Sequence, residues 1–237
     1  MRYSAILFDV GDTLIGPRER FGSAYSRVFG EQGVELPPER FERAIRETWA
    51  AVAREIPPGV DRYGYHRGGE EAFWLRFAQA SLARASDGEH PESIARSAVE
   101  ALRDHFATPA AWRVYPDTVP VLRELREAGF RLGVVSNWDS RLPRVLDMLE
   151  LTRYFDSIGV SHLEGLEKPA PEFFLRVLSR LDVAPERALH IGDVPELDLA
   201  GARAAGIDAR LVDRHARLAP THDALPDLTT LPTLARR

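Results

Sequence analysis

The stretch Ala5-Ile6-Leu7-Phe8-Asp9-Val10-Gly11-Asp12-Thr13-Leu14 sets the frame for the whole chain. Its first part is a continuous apolar run ending in a carboxylate, the pattern of a strand buried on both faces of a sheet. Its second part reads as a tight acidic turn. There Gly11 and Thr13 suit a bend that offers backbone groups and a hydroxyl to an anion. Ligands of parallel α/β sheets gather at the carboxyl ends of strands, so Asp9 is well placed for function. A plain Asp-Gly turn closing a strand is the competing reading of this segment.

Outward from this stretch, similar apolar runs recur at Arg131–Val135, Ala188–Ile191 and Ala209–Val212, with a weaker one at Ser157–Val160. Amphipathic helical stretches lie between them: Thr118–Ala128 closed by Gly129, Pro143–Leu151, Pro171–Leu181, and Asp198–Ala205 closed by Gly206. Strands alternating with helices imply βαβ units, hence an α/β fold with a mostly parallel sheet. Residues 16–110 break that rhythm. They hold no convincing strand but predict helices over Arg18–Gln32, Pro38–Glu55, Glu70–Arg84 and Pro91–Phe106, separated by Gly33 with Pro37-Pro38, by Pro57-Pro58-Gly59 and by Asp87-Gly88. The expected organisation is therefore a core of residues 1–15 and 111–237 with an all-helical insertion at 16–110. The tail after Asp213 carries prolines and no long period, which predicts short irregular structure.

At 237 residues the chain has room for one large α/β domain with a smaller one inserted. Its 44% hydrophobic and 28% charged residues are ordinary for a soluble globular protein. A net charge of −5 gives no electrostatic reason to expect nucleic acid or an anionic membrane. The absence of cysteine excludes disulfides, thiolate metal sites and a cysteine nucleophile, and fits a cytoplasmic setting. The N-terminal apolar run is too short for a signal-peptide core, and no stretch approaches the roughly 18 apolar residues of a membrane helix. The expectation is a cytoplasmic monomer or dimer that acts on a small molecule.

Three further segments carry chemistry. Gly192-Asp193 follows the run Leu189-His190-Ile191, and Asp198 heads the next helical run. Carboxylates from two strand ends, Asp9 and Asp193, make the oxygen-rich site that Mg²⁺ prefers. Asp198 also reads as a plain helix N-cap. Ser136-Asn137 ends another strand, where a hydroxyl and an amide can hold phosphoryl oxygens beside a helix N-terminus, or simply cap that helix. Lys168 sits in the stiff loop Lys168-Pro169-Ala170-Pro171, which lowers the cost of aiming an ammonium at a carboxylate or phosphate; the bland alternative is a surface lysine.

Together these segments resemble the haloacid dehalogenase superfamily of hydrolases. The resemblance rests on the Asp9-x-x-x-Thr13-Leu14 opening, Ser136 after a strand, Lys168-Pro169-x-Pro171-x-x-Phe174, and Gly192-Asp193 with Asp198 and Gly201-Ala202. It covers nearly the whole chain. It implies a Rossmann-like core with the helical insertion as a cap. Carried over by position, Asp9 would be the nucleophile, Ser136 would bind the phosphoryl group with Thr13 and Asn137 nearby, and Lys168 would neutralise charge. Asp9, the Gly11 carbonyl, Asp193 and Asp198 would surround Mg²⁺. Phosphatases of the superfamily usually place a second aspartate two residues after the nucleophile, as acid and base. Here that position is Gly11, and the acid stands one place on, at Asp12. The D-V-x-D-T-L form is similar to a subgroup, the dehalogenase-like hydrolase domain-containing proteins.

The leading expectation is a Mg²⁺-dependent phosphatase of a small phosphorylated metabolite, slow on poor leaving groups because Gly11 supplies no acid. The alternatives are a metal-free 2-haloacid dehalogenase, which Gly11 suits and Asp193 does not, and a catalytically weak phosphate- or partner-binding protein. Elsewhere, Asp61–Gly69 reads as a flexible basic and aromatic loop that either contacts substrate or is merely solvated. Phe73, Trp74 and Phe77 read as core of the insertion.

Overall fold

In the computed structural model, residues 2–90, 92–219 and 223–236 are described. In chain order the strands are β1 (Ala5–Phe8), β2 (Ile15–Pro17), β3 (Trp112–Val114), β4 (Arg131–Ser136), β5 (Ser157–Val160), β6 (Ala188–Gly192) and β7 (Asp208–Leu211). The helices are α1 (Phe21–Gly30), α2 (Pro38–Glu55), α3 (Gly69–Ala85), α4 (Glu92–Phe106), α5 (Thr118–Glu127), α6 (Leu142–Met148), α7 (Ser161–Glu164), α8 (Pro171–Leu181), α9 (Ala200–Ala204) and α10 (Leu231–Arg236). The chain divides into two compact units, residues 1–16 with 114–237, and residues 17–113.

The first unit is an α/β fold built on one parallel sheet ordered β5-β4-β1-β6-β7. From β1 the chain runs to β4 and outward to β5, then returns past β1 to β6 and β7. The direction of winding thus reverses at β1, and the crevice beyond its carboxyl end is where such sheets bind ligands. Register fixes what stands there: Phe8 pairs with Val134 on one side and Ile191 on the other. Asp9, Ser136 and Asp193 therefore emerge from three neighbouring strands along one edge.

Every residue of β1 is buried, as the unbroken apolar run requires of a central strand. The strand stops at Phe8, two residues before the apolar run ends, because the Val10 carbonyl takes the N–H groups of Leu14 and Ile15 and closes a turn. On one sheet face, α8 buries Phe173, Phe174, Val177, Leu178 and Leu181 against Ala5, Leu7 and Val135. Pro171 at its first turn, Glu172 beside it and Asp182 in the left-handed conformation after Leu181 delimit this helix. Fully burying a large apolar side chain contributes about 1.5–3 kcal/mol, so this face is a main support of the sheet.

Three expectations are corrected. Helix α6 ends at Met148 rather than Leu151, since Glu150 takes a positive φ of 56° and the chain turns. The stretch expected as a helix from Asp198 begins earlier, with a wide π-type turn over Pro195–Leu199 that leads into α9. The tail is not wholly irregular, because Leu231–Arg236 forms a short helix with Pro232 in its first turn, where proline's missing N–H costs nothing.

The second unit holds α1 to α4, which pack around an aromatic core. Phe29 stacks on Phe41 at 5.1 Å, and Trp49 packs on Phe77 at 4.5 Å. Phe73 and Phe77 are buried there and Trp74 packs against them. Helix α1 is shorter than Arg18–Gln32, and Pro91, expected to open α4, lies outside the described residues. The loop at Asp61–Gly69 is partly built into this core. Asp61 accepts the N–H groups of Tyr63 and Gly64, and Tyr63 is buried 4.9 Å from the Phe73 ring. Tyr65 remains exposed.

Candidate active site

Asp9 is buried where β1 ends, and two donors meet on one of its oxygens. Ser136 Oγ donates to Asp9 Oδ1 at 2.9 Å, and Lys168 Nζ donates to the same atom at 2.6 Å. Lys168 comes from the loop before α8, and only 2% of its surface is exposed. A buried ammonium needs partners on more than one side, and the second is Asp198, whose Oδ1 accepts from Nζ at 2.6 Å.

Each of these groups is itself held. Asn137 accepts the Lys168 N–H on Oδ1 at 2.7 Å and donates from Nδ2 to the Lys168 carbonyl at 3.0 Å. The amide expected to touch phosphoryl oxygens bonds the backbone of Lys168 through both its oxygen and its nitrogen. Asp198 does not cap a helix end. It lies inside the π-type turn, where Oδ2 accepts the Val194 N–H at 3.0 Å and Oδ1 also meets His190 Nε2 at 2.8 Å. His190 is wholly buried in β6, its ring set edge-on to Phe174 at 5.0 Å. Gly192 makes the approach possible, since a Cβ there would collide with the Asp198 carboxyl group.

Burial pushes the Asp9 carboxyl up, while Lys168 pulls it down. Burial would lower Lys168, but the charges of Asp198 and Asp9 outweigh it and raise the ammonium above its usual range. Burial would raise Asp198, yet Lys168 and His190 hold it well below the carboxylate range. Half-buried Asp193 gains less from Lys168. Burial, followed by repulsion from Asp9 and Asp198, pushes it up to about 8.

Carboxylate oxygens of Asp9, Asp193 and Asp198 all lie within 4.8 Å of one another. This is a hard, all-oxygen donor set of the kind a divalent cation takes. The neighbouring carboxylates disfavour ionisation of Asp193, and a cation there would offset that repulsion.

The remaining candidates stand as follows. Thr13 is fully buried, its hydroxyl has no partner among the described residues, and its carbonyl accepts from Arg214 Nε at 2.8 Å. Gly11 lies beside Trp138: a Cβ built on it would sit 3.6 Å from Cζ3 of that indole, an ordinary contact. Asp12 has a positive φ of 50°, a conformation aspartate tolerates. Its carboxylate accepts from the Tyr115 hydroxyl at 3.1 Å and meets His215 Nε2 at 3.3 Å and Arg217 at 3.4 Å. Asp12 is therefore tied to the loop after β7.

Sequence reasoning missed His190, concealed in an apolar strand run, and Trp138, next to the Ser136-Asn137 pair. It also missed Tyr115 and His215, whose distance along the chain gives no cue.

A family model described as haloacid dehalogenase-like hydrolase matches residues 3–206. The chain belongs to the haloacid dehalogenase-like hydrolases. It is 31% identical over 231 residues to human haloacid dehalogenase-like hydrolase domain-containing protein 3, covering 97% of this chain and 90% of that protein. It is 30% identical to the glyceraldehyde 3-phosphate phosphatase of Methanopyrus kandleri, covering 86% of this chain and 81% of the relative. Among solved structures, a HAD phosphatase from Thermococcus onnurineus shares the fold with a TM-score of 0.68 at 24% identity, covering 98% and 97% of the two chains. No helix among the described residues is long and apolar enough to cross a membrane.

Proposed function

We propose that the chain is a Mg²⁺-dependent phosphatase acting on a small phosphorylated metabolite, with Asp9 as nucleophile. The carrying observation is that Lys168 Nζ bonds both Asp9 and Asp198 at 2.6 Å while carboxylate oxygens of Asp9, Asp193 and Asp198 lie within 4.8 Å of one another. The glyceraldehyde 3-phosphate phosphatase named above supports the choice of a phosphate ester.

The donor set fits Mg²⁺. Asp9, Asp193 and the Gly11 carbonyl would hold it, with Asp198 as anchor of Lys168 at the rim. When bound, the ion would offset the charge of the phosphate so that a carboxylate can approach it. The chain's own residues account for the rest. An Asp9 oxygen attacks phosphorus, the ester P–O bond breaks, and the leaving oxygen departs with the bonding pair and takes up a proton. Water then attacks the phosphorus of the aspartyl-phosphate, its proton passing to solvent, and Asp9 and phosphate are regenerated. Lys168 and Ser136, already aimed at Asp9, stabilise charge at the reacting carboxylate without moving. Position 11 supplies no side chain to protonate the leaving oxygen. In this reading the helical unit serves as the cap that the resemblance implies, and the protein works in the cytoplasm.

Gly11 is the one feature favouring metal-free dehalogenation, where the same aspartate would attack carbon and no acid is needed. An assay of the purified chain with and without Mg²⁺ separates the two. Phosphate release that requires Mg²⁺ supports the phosphatase, whereas halide release from 2-haloacids without metal overturns it.

A further inference from the structure

Three consecutive residues lie at the carboxyl end of β4, and only two have a task in the reaction above. Ser136 bonds Asp9 and Asn137 grips Lys168. The third, Trp138, is half-buried. Its backbone is fixed: the N–H donates to Ser161 Oγ at 3.0 Å, and its carbonyl accepts from Ser161 Oγ at 3.0 Å and from the His162 N–H at 3.3 Å. Ser161 is fully buried, so the segment carrying the indole is anchored at the end of β5. The indole stands beside Gly11, two residues from the nucleophile, with Cζ3 3.6 Å from where a Cβ would sit.

We infer that Trp138 is a specificity-determining residue. It forms a platform for a planar, aromatic or conjugated leaving group, so the substrate is a phosphate monoester of an acidic hydroxyl rather than of a simple alkyl alcohol. This rests on the phosphatase reading and narrows it. A rigid aromatic face offers stacking and large contact area at low entropic cost. The missing acid points the same way. Gly11 has no side chain, and Asp12 is engaged by Tyr115, His215 and Arg217, so neither neighbour protonates the leaving oxygen. Such a site favours a leaving group that departs as a stable anion, and conjugated hydroxyls are the ones that do.

The test uses the full chain with Mg²⁺ and compares binding of phenylphosphonate, methylphosphonate and orthophosphate to wild type, Trp138→Ala and Trp138→Phe, alongside phosphate release from phenyl and alkyl phosphates. Wild type should prefer phenylphosphonate over methylphosphonate by roughly three- to ten-fold, the range expected of one aromatic contact. Trp138→Ala should lose that preference while still binding orthophosphate, and Trp138→Phe should keep most of it. An equal affinity of wild type for the two phosphonates, or a preference that survives Trp138→Ala, overturns the inference and leaves the phosphatase standing. Wild type that binds none of the three and releases no phosphate from any ester removes both.

Discussion

Asn137 holds Lys168 by both ends of its side-chain amide, accepting the backbone N–H at 2.7 Å and donating to the carbonyl at 3.0 Å. The ammonium's reach to Asp9 thus depends on a residue that touches neither. We expect Asn137→Ala to lower kcat about 100-fold, the scale of a 1 Å misplacement in a reacting site, while the fold is retained. Rates of phosphate release measured beside circular dichroism would check this; an unchanged kcat would contradict it.

Gly192→Ala should act through Asp198. The added methyl group collides with that carboxylate, which in turn anchors Lys168 and His190. Overpacking of this kind costs about 1–3 kcal/mol. Urea unfolding should show a lower midpoint, together with a loss of turnover larger than destabilisation alone would cause.

Asp193 makes stability depend on pH. Its folded pKa of about 8 lies above the unfolded carboxyl value of roughly 3.9. The metal-free folded state therefore binds the proton more tightly than the unfolded chain. This contribution is fully present below the unfolded value and is lost as pH rises through about 8. A cation that relieves the repulsion should stabilise most where the carboxyl would otherwise be forced to ionise. We expect Mg²⁺ to raise Tm more at pH 8.5 than at pH 6, and Asp193→Asn to abolish the difference. Equal shifts at the two pH values would show that Asp193 is not involved.

Positions 11 and 12 divide the question of the missing acid. A Cβ at position 11 meets only an ordinary contact with Trp138, so the first atom of an aspartate side chain in Gly11→Asp has room. It should raise turnover of alkyl phosphates, by at most the 10²–10⁴-fold that a positioned acid typically contributes. Asp12→Asn, which tolerates the positive φ, should leave the preference among leaving groups in place. If instead Asp12→Asn selectively removed turnover of alkyl phosphates, Asp12 would be the acid.

The parallel sheet and the convergence on Asp9 were legible because each chemical residue ends a strand or closes a stiff loop. An apolar run before Asp9, Ser136 or Asp193 is enough to place it on the carboxyl edge. What a carboxylate or amide bonds to once there was not legible. Asp198 heads a helical run like a helix cap, and only the wide turn around it brings its oxygens to Lys168, His190 and Val194. Likewise, nothing near Asp12 points to Tyr115 or His215, each separated from it by about 100 residues or more. The helix at Leu231–Arg236 was obscured by Pro232, which reads as a breaker unless it is known to stand in the first turn.

The most direct measurement is covalent. Wild-type chain incubated with Mg²⁺ and phenyl phosphate, quenched in acid and digested, should carry one phosphoryl group on the peptide containing Asp9. Asp9→Asn should carry none and release no phosphate. A phosphoryl group on another residue, or phosphate release that survives Asp9→Asn, would contradict the assignment of Asp9 as nucleophile.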